Sequence, residues 1–289
     1  MKTHHSFIKR PALVTLIILV GIVIGHPTMA TGPRVTPTIF VSDADKVFAV
    51  DNPPFVSGNV EGGLNIEIIN AVFSSADIDN TVTTLPLQKM VKYYLQQENA
   101  IAIMGHYLHF NQEERKELIF VPVSAPLKHY FYYRPSHPDG MGWNGDLDSL
   151  KGATYGAHRE EKTAAYKKAG IRVQKGSPRA IMQKLISGDV DFAGMPGLTA
   201  EWLIDKHFPK EREHLVQMKP AAGDIPGFLI FNRRHPQGKA AADRFDKALS
   251  AFIDDGGYEK VLEKYMNKGA SIDTYMKRLK ALRMKYRIK

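Results

Sequence analysis

The chain contains no cysteine among its 289 residues. Disulfides and thiolate metal sites are therefore excluded, and so is a lipid-modified anchor of the bacterial lipoprotein kind, which needs an N-terminal cysteine. Zinc-hydrolase (H-E-x-x-H), serine-hydrolase (G-x-S-x-G), P-loop and dinucleotide (G-x-G-x-x-G) signatures are also missing. No cofactor is expected. His106 and His109 stand three apart, but two imidazoles fall short of a metal site. The longest apolar run, residues 12–25, is shorter than the roughly 20 residues that a membrane span requires. Lys2, Lys9 and Arg10 precede it and Thr28-Met29-Ala30 follows, so residues 1–30 read as a secretory signal, with an uncleaved anchor as the alternative.

The formal net charge of +9 would point to nucleic acid if it were spread over the fold. It is not. The presumed signal carries three basic groups and no acid, and the stretch from Lys277 to the end carries seven and no acid. That leaves 29 basic against 30 acidic groups in between. A body so close to neutral, with no nucleic-acid motif, excludes a general nucleic-acid surface. The basic tail, residues 271–289, places Met276, Leu279, Leu282 and Tyr286 near one helical face and could touch membrane or a partner. The hydrophobic content of 44% is ample for a sizeable core.

Residues 147–194 show most of the plan. A strand is predicted at 153–157, a helix at 160–169 ended by Gly170, a strand at 171–174, a helix at 178–187 and a strand at 190–193. This alternation is the doubly wound α/β pattern. Ser177 can cap the second helix, Pro178 suits its first turn, and Gly188 follows its last. Two helix starts, near Arg159 and Ser177, should point toward one edge of a parallel sheet, where such sheets bind ligands and where helix starts favour anions.

Elsewhere, a helix is predicted over 64–73, with Leu64, Ile68, Ala71 and Val72 at helical spacing. Strands follow at 81–85 and 100–105, with a helix over 87–97 between them. Residues 130–133 suit a strand, 227–231 a second, and 249–252 and 258–266 short helices.

The order D-L-K-G, strand, helix, strand, then S-x6-L-x2-G-x-V-D, resembles the second lobe of type II periplasmic solute-binding proteins, the amino-acid-binding family of ABC transporters. Pro53-Pro54-Phe55 before Gly62-Gly63-Leu64 agrees, as do Glu114-Arg115 before the 120–126 segment, and Gly256-Gly257-Tyr258 before a helix. Together these cover most of residues 38–266 in family order. The resemblance implies an α/β fold of two lobes joined by a two-strand hinge. Lobe 1 would be residues 38–132 plus 227–270, and lobe 2 residues 133–226.

It also implies a monomer, located in the periplasm, that closes on a small molecule and serves an ABC permease or a sensor. By position, Phe55 would wall the pocket, His106 and Tyr107 would line it, and Arg115 would grip a carboxylate with its planar fork. Arg159 and Ser177 would meet an anion at the lobe 2 helix starts. Each residue also has a plain structural reading: core packing for Phe55, a charged helix face for Arg115, an ordinary cap for Ser177.

The chain departs from the family pattern at two points, and at the first of them the glycine often found at the first helix start of lobe 2 is replaced by His158-Arg159, which adds a cation there. At the second, the aspartate expected five residues after Asp191, which would take a ligand ammonium, is Pro196. Asp189 and Glu201 do not fit that position. An unpaired buried ammonium is costly, so the expected solute is anionic with no obligate amine. Two other outcomes stay open: a dehydratase-like enzyme using a carboxylate such as Glu61, Glu67, Glu113 or Glu114, or an interaction protein with a degenerate cleft.

Overall fold

The computed structural model describes residues 47–57, 62–78, 82–87, 89–91, 100–135, 141–266 and 270–286. The presumed signal, Glu61 and most of the helix expected over 87–97 lie outside the described residues. No described helix is long and apolar enough to cross a membrane.

One mixed sheet organises the chain. Its strands are β1 (Val47–Ala49), β2 (Val82–Thr84), β3 (Ala102–Gly105), β4 (Leu118–Tyr133), β5 (Thr154–His158), β6 (Arg172–Gly176), β7 (Phe192–Pro196), β8 (Val216–Gln217) and β9 (Gly223–Asn232). They lie in the order β2-β1-β3-β9-β4-β7-β5-β6, with β8 beside β4. β1 runs parallel to β2 and β3, and β5 runs parallel to β6 and β7. Two parallel halves are thus stitched through the antiparallel pair β4 and β9, which gives two α/β lobes. The buried clusters divide the same way, one set around Val47, Ile69 and Phe231 and another around Ile181, Leu185 and Phe192.

β4 is 16 residues long because both lobes use it. Its first part pairs with β9 from Leu118 to His129, and its last part pairs with β7 from His129 to Tyr133. The β4–β9 register slips between Pro122 and Ser124 and again between Ser124 and Leu127. Such irregularities bend a strand locally. The hinge expected from residues 130–133 and 227–231 is therefore present, but longer on both strands.

The helices follow their sequence signals. α1 (Leu64–Ser75) buries Leu64, Ile68, Ile69, Val72 and Phe73 on lobe 1. α2 (Gln112–Lys116) opens with a capping box between Asn111 and Glu114. α3 (Ala164–Lys168) is shorter than the expected 160–169 and starts five residues past Arg159, so Arg159 lies in the turn after β5 and not at a helix start. α4 (Pro178–Ser187) spans the expected residues, with the Ser177 hydroxyl accepting from the Ala180 amide at 3.3 Å and Gly188 in the left-handed region at φ 83°. α5 (Gly197–His207) leaves β7 directly.

α6 (Gly238–Asp254) is far longer than the expected 249–252. Its inward stripe of Ala241, Ala242, Phe245, Leu249 and Ile253 begins with small alanines, a weak hydrophobic signal that buries well against a sheet. α7 (Gly257–Leu262) and α8 (Ala270–Lys285) complete lobe 1.

The stretch read as a basic tail contributes to the core. Ile272, Tyr275, Met276 and Leu279 of α8 are buried in the lobe 1 cluster, burial of the kind that contributes about 1.5–3 kcal/mol per large side chain. Arg283 donates to the Pro122 carbonyl at 3.2 Å, to Asp246 Oδ1 at 2.7 Å and to Ser250 Oγ at 2.8 Å. Tyr258 donates to the Val123 carbonyl at 2.6 Å. The C-terminal helices are thereby pinned to β4 beside its irregular segment.

Candidate functional site

Parallel strands present their C-terminal ends, and the loops that follow, on one edge of a sheet. In this chain the two parallel halves turn those edges toward one another. Residues just beyond β1 (Val50, Asp51, Pro53) and at the end of β2 (Thr84, Leu85, Pro86) form one wall of a cavity of about 450 Å³. The opposite wall comes from the ends of β5 (His158, Arg159, Glu160) and β6 (Ser177, Pro178, Arg179), closed by Trp202, Leu203 and His207 of α5. Such a volume suits a small metabolite.

Charge is concentrated on the lobe 2 wall. Arg159 leaves the end of β5, and Arg179 is the second residue of α4, beside the cap Ser177. Among the described residues neither guanidinium has a carboxylate within ion-pair distance. The N-terminal end of the α4 dipole adds a partial positive charge at the same place. His158 and His207 also line the cavity. Burial lowers the His158 value, with Glu160 opposing, and burial followed by the charge of Arg179 lowers that of His207. The lasting positive charge is therefore carried by the two arginines.

Of the residues expected to bind, the cavity brings together Arg159 and Ser177. The other four lie elsewhere. Phe55 is 3% exposed within the lobe 1 core, where it packs as a hydrophobic residue. His106 and Tyr107 stack on one another at 4.5 Å in the turn after β3. Arg115 holds that turn: its Nε donates to the carbonyls of Tyr107 and Phe110, both at 3.0 Å, and its guanidinium lies 5.1 Å from the Tyr107 ring centroid. These contacts use the single Nε–H and one face of the guanidinium, and Arg115 is not among the residues lining this cavity. Arg179 supplies the second guanidinium instead. It follows the Ser177-Pro178 helix start directly, which was the signal available for it.

Residue 196, where the family pattern expects an aspartate, does not line the cavity. Pro196 ends β7, paired with His129 of β4. Carboxylates do reach the cavity, but from Asp51 of lobe 1 and Glu160 of lobe 2, neither of which is near residue 196 in sequence. Glu201 instead accepts from Arg212 at 2.8 Å, and Asp189 accepts from Ser187 at 2.7 Å.

A second polar group lies on the same edge of the lobe 2 sheet. Tyr155 donates to the Glu161 carboxylate at 3.0 Å, and burial raises the Glu161 value against the opposing hydroxyls of Tyr166 and Tyr155. A Cβ on Gly194 would sit 2.2 Å from Tyr155 Oη and 2.6 Å from His129 Nε2, so glycine is required there. Both ring nitrogens of His129 are buried without a hydrogen-bond partner, as is Nε2 of His106, and burial lowers both imidazoles to about 4. Nothing in the local sequence marks His129, which lies in a long β strand.

Of the carboxylates weighed as acid or base, the three among the described residues are engaged structurally. Glu67 accepts from Lys264 at 2.6 Å and Tyr265 at 2.5 Å. Glu113 pairs with Lys116, and Glu114 completes the α2 capping box. In the turn after β3, His106 and His109 both accept backbone N–H groups through Nδ1. Among the described residues no cluster of three metal-binding side chains occurs.

No family model matches this sequence, and no curated protein matches it closely enough to count. Solved structures do. The GluR0 ligand-binding core from Nostoc punctiforme, in complex with L-glutamate, superposes with a TM-score of 0.61 at 14% identity, covering 77% of this chain and 99% of that one. The arginine-, lysine-, histidine-binding protein ArtJ from Geobacillus stearothermophilus gives 0.61 at 17% identity, covering 82% and 99%. A histidine kinase sensor domain with similarity to periplasmic binding proteins gives 0.61 at 17% identity, covering 78% and 98%. The chain has the two-lobe, Venus-flytrap fold of type II periplasmic binding proteins.

Proposed function

We propose that this chain is an extracytoplasmic solute-binding protein that closes its two lobes on a small acidic solute and presents the closed form to an ABC permease or a sensor. The observation that carries this reading is the cavity between the two sets of strand ends, with Arg159, Arg179 and the capped start of α4 on one wall and lobe 1 on the other. A solute held by both walls favours the closed state by its differential affinity for it. The fold neighbours support the reading, since they include proteins that bind amino acids and a sensor domain. The leader-like residues 1–30 agree with export.

The arginines favour an acid, since a planar guanidinium meets a carboxylate with two parallel hydrogen bonds. Asp51 and Glu160 allow an amine on the same solute without requiring one. A thermal-shift screen of amino acids and organic acids tests the proposal. A melting temperature raised by one class of acid, and no longer raised in Arg159→Ala/Arg179→Ala, is the expected result. No shift with any acid would overturn it.

A further inference from the structure

We infer that the solute carries a flat, π-bonded body as well as its acid group, an arylalkyl carboxylate in chemical class, and that Trp202 is the residue selecting it. This rests on the capture reading above and adds what the rest of the cavity recognises. Trp202 is half-buried on α5, two turns from the residues that end β7, and it lines the cavity that Arg159 and Arg179 also line. Its indole is flanked by Lys206 Nζ, 5.3 Å from the ring centroid, and by the His207 ring, edge-on at 5.4 Å and 79°.

A ring fixed by a cation and an imidazole loses little freedom when a ligand stacks on it. The same cavity is also lined by apolar and rigid groups, Leu85 and Pro86 of lobe 1, with Pro178 of lobe 2. The lining thus combines two guanidinium groups with flat or apolar surfaces. An inorganic anion or a small aliphatic diacid would satisfy the first and leave the second wet. A zwitterion such as an aromatic amino acid and a plain aryl acid share the two features, acid group and flat body, that this lining recognises.

The test uses Trp143→Phe, which leaves Trp202 as the single indole, since the chain has two tryptophans. Trp143 lies outside this cavity, its Nε1 donating to the Pro220 carbonyl at 2.7 Å. The probes are 3-phenylpropionate, phenylalanine, hexanoate, glutarate and leucine, read by indole fluorescence and by melting temperature. The inference expects both aryl probes to alter Trp202 emission and raise the melting temperature at least about tenfold more tightly than hexanoate or leucine, and Trp202→Ala to remove most of that preference. Phenylalanine binding more tightly than 3-phenylpropionate would assign a role to Asp51 or Glu160 within the same inference. Tighter binding of hexanoate, glutarate or leucine, or an aryl preference that survives Trp202→Ala, would overturn the inference while leaving the capture reading standing. No binding by any acid in the wider screen would overturn both.

Discussion

Lys162, four residues past the end of β5, donates to the carbonyl of Leu108 in the turn after β3, at 3.3 Å. The bond joins lobe 2 directly to lobe 1 on the exposed rim of the structure. Leu198 of α5 makes a second link, packing against the lobe 1 core cluster. Exposed contacts of the first kind contribute little, about 0.2–1 kcal/mol. Lys162→Ala should therefore weaken solute binding by roughly two- to fivefold through faster release, with the melting temperature of the unliganded protein changed by a degree or two. Stopped-flow dissociation measures it, and an unchanged off-rate would show that the link plays no part in closure.

Arg283 should matter far more than its place near the C-terminus implies. Its guanidinium is 12% exposed and bonded to Asp246, Ser250 and the Pro122 carbonyl. Arg283→Met keeps the stem but leaves Asp246, 24% exposed, without its cation. Breaking such a pair from one side costs on the order of 2–4 kcal/mol. Chemical denaturation should show a lower midpoint at unchanged m-value, whereas an unaltered midpoint would mean that α8 is a loosely attached tail.

Gly194→Ala places a methyl against Tyr155 Oη and His129 Nε2, neither of which can withdraw easily from a packed sheet edge. Overpacking of this kind costs about 1–3 kcal/mol. Gly188→Ala, at the end of α4 with no heavy atom within 4 Å of a new Cβ, provides the contrast, since its cost of about 1 kcal/mol comes from the left-handed backbone alone. Equal destabilisation by the two changes would contradict the crowding at Gly194.

Acid should destabilise the fold through buried imidazoles. His106, His109 and His129 are each lowered to about 4, burial being the largest cause in all three. Additional lowering comes from His109 and then Arg115 at His106, and from Lys162 at His109. An unfolded chain titrates its histidines near 6.5, so between about 6.5 and 4 the unfolded state binds more protons. Their contribution is fully present above about pH 6.5 and is lost as pH falls toward 4. His129→Phe should flatten the stability profile in that window. A profile of unchanged slope would show that His129 does not titrate with unfolding.

The fold was legible because its signals are local. Ser177, Pro178 and Gly188 mark both ends of α4, and the strand and helix order of residues 147–194 follows from periodicity. Where elements ran longer than expected, the cause lies in packing: α6 begins with alanines that read as neutral, and β4 continues because two lobes share it. The site was legible only in part. Arg159 and Ser177 follow strand ends, a topological rule that a sequence carries. Arg115 was placed by its position in a family pattern, and its Nε–H donates to two carbonyls eight and five residues before it, in the turn after β3. Asp51, Trp202 and His207 enter the cavity from segments whose meeting depends on how the lobes face one another, which no local pattern encodes.

The central claim is that one wall of the interlobe cavity is an acid-binding surface made by Arg159 and Arg179. Calorimetric titration of the unaltered protein and of Arg159→Ala/Arg179→Ala, using the tightest acid from the thermal-shift screen, tests it most directly. The account predicts saturable binding with one site per chain and a loss of at least about a hundredfold in the double variant, since each charge-assisted bond contributes about 1.5–3 kcal/mol. Binding of the same affinity in both proteins would contradict it.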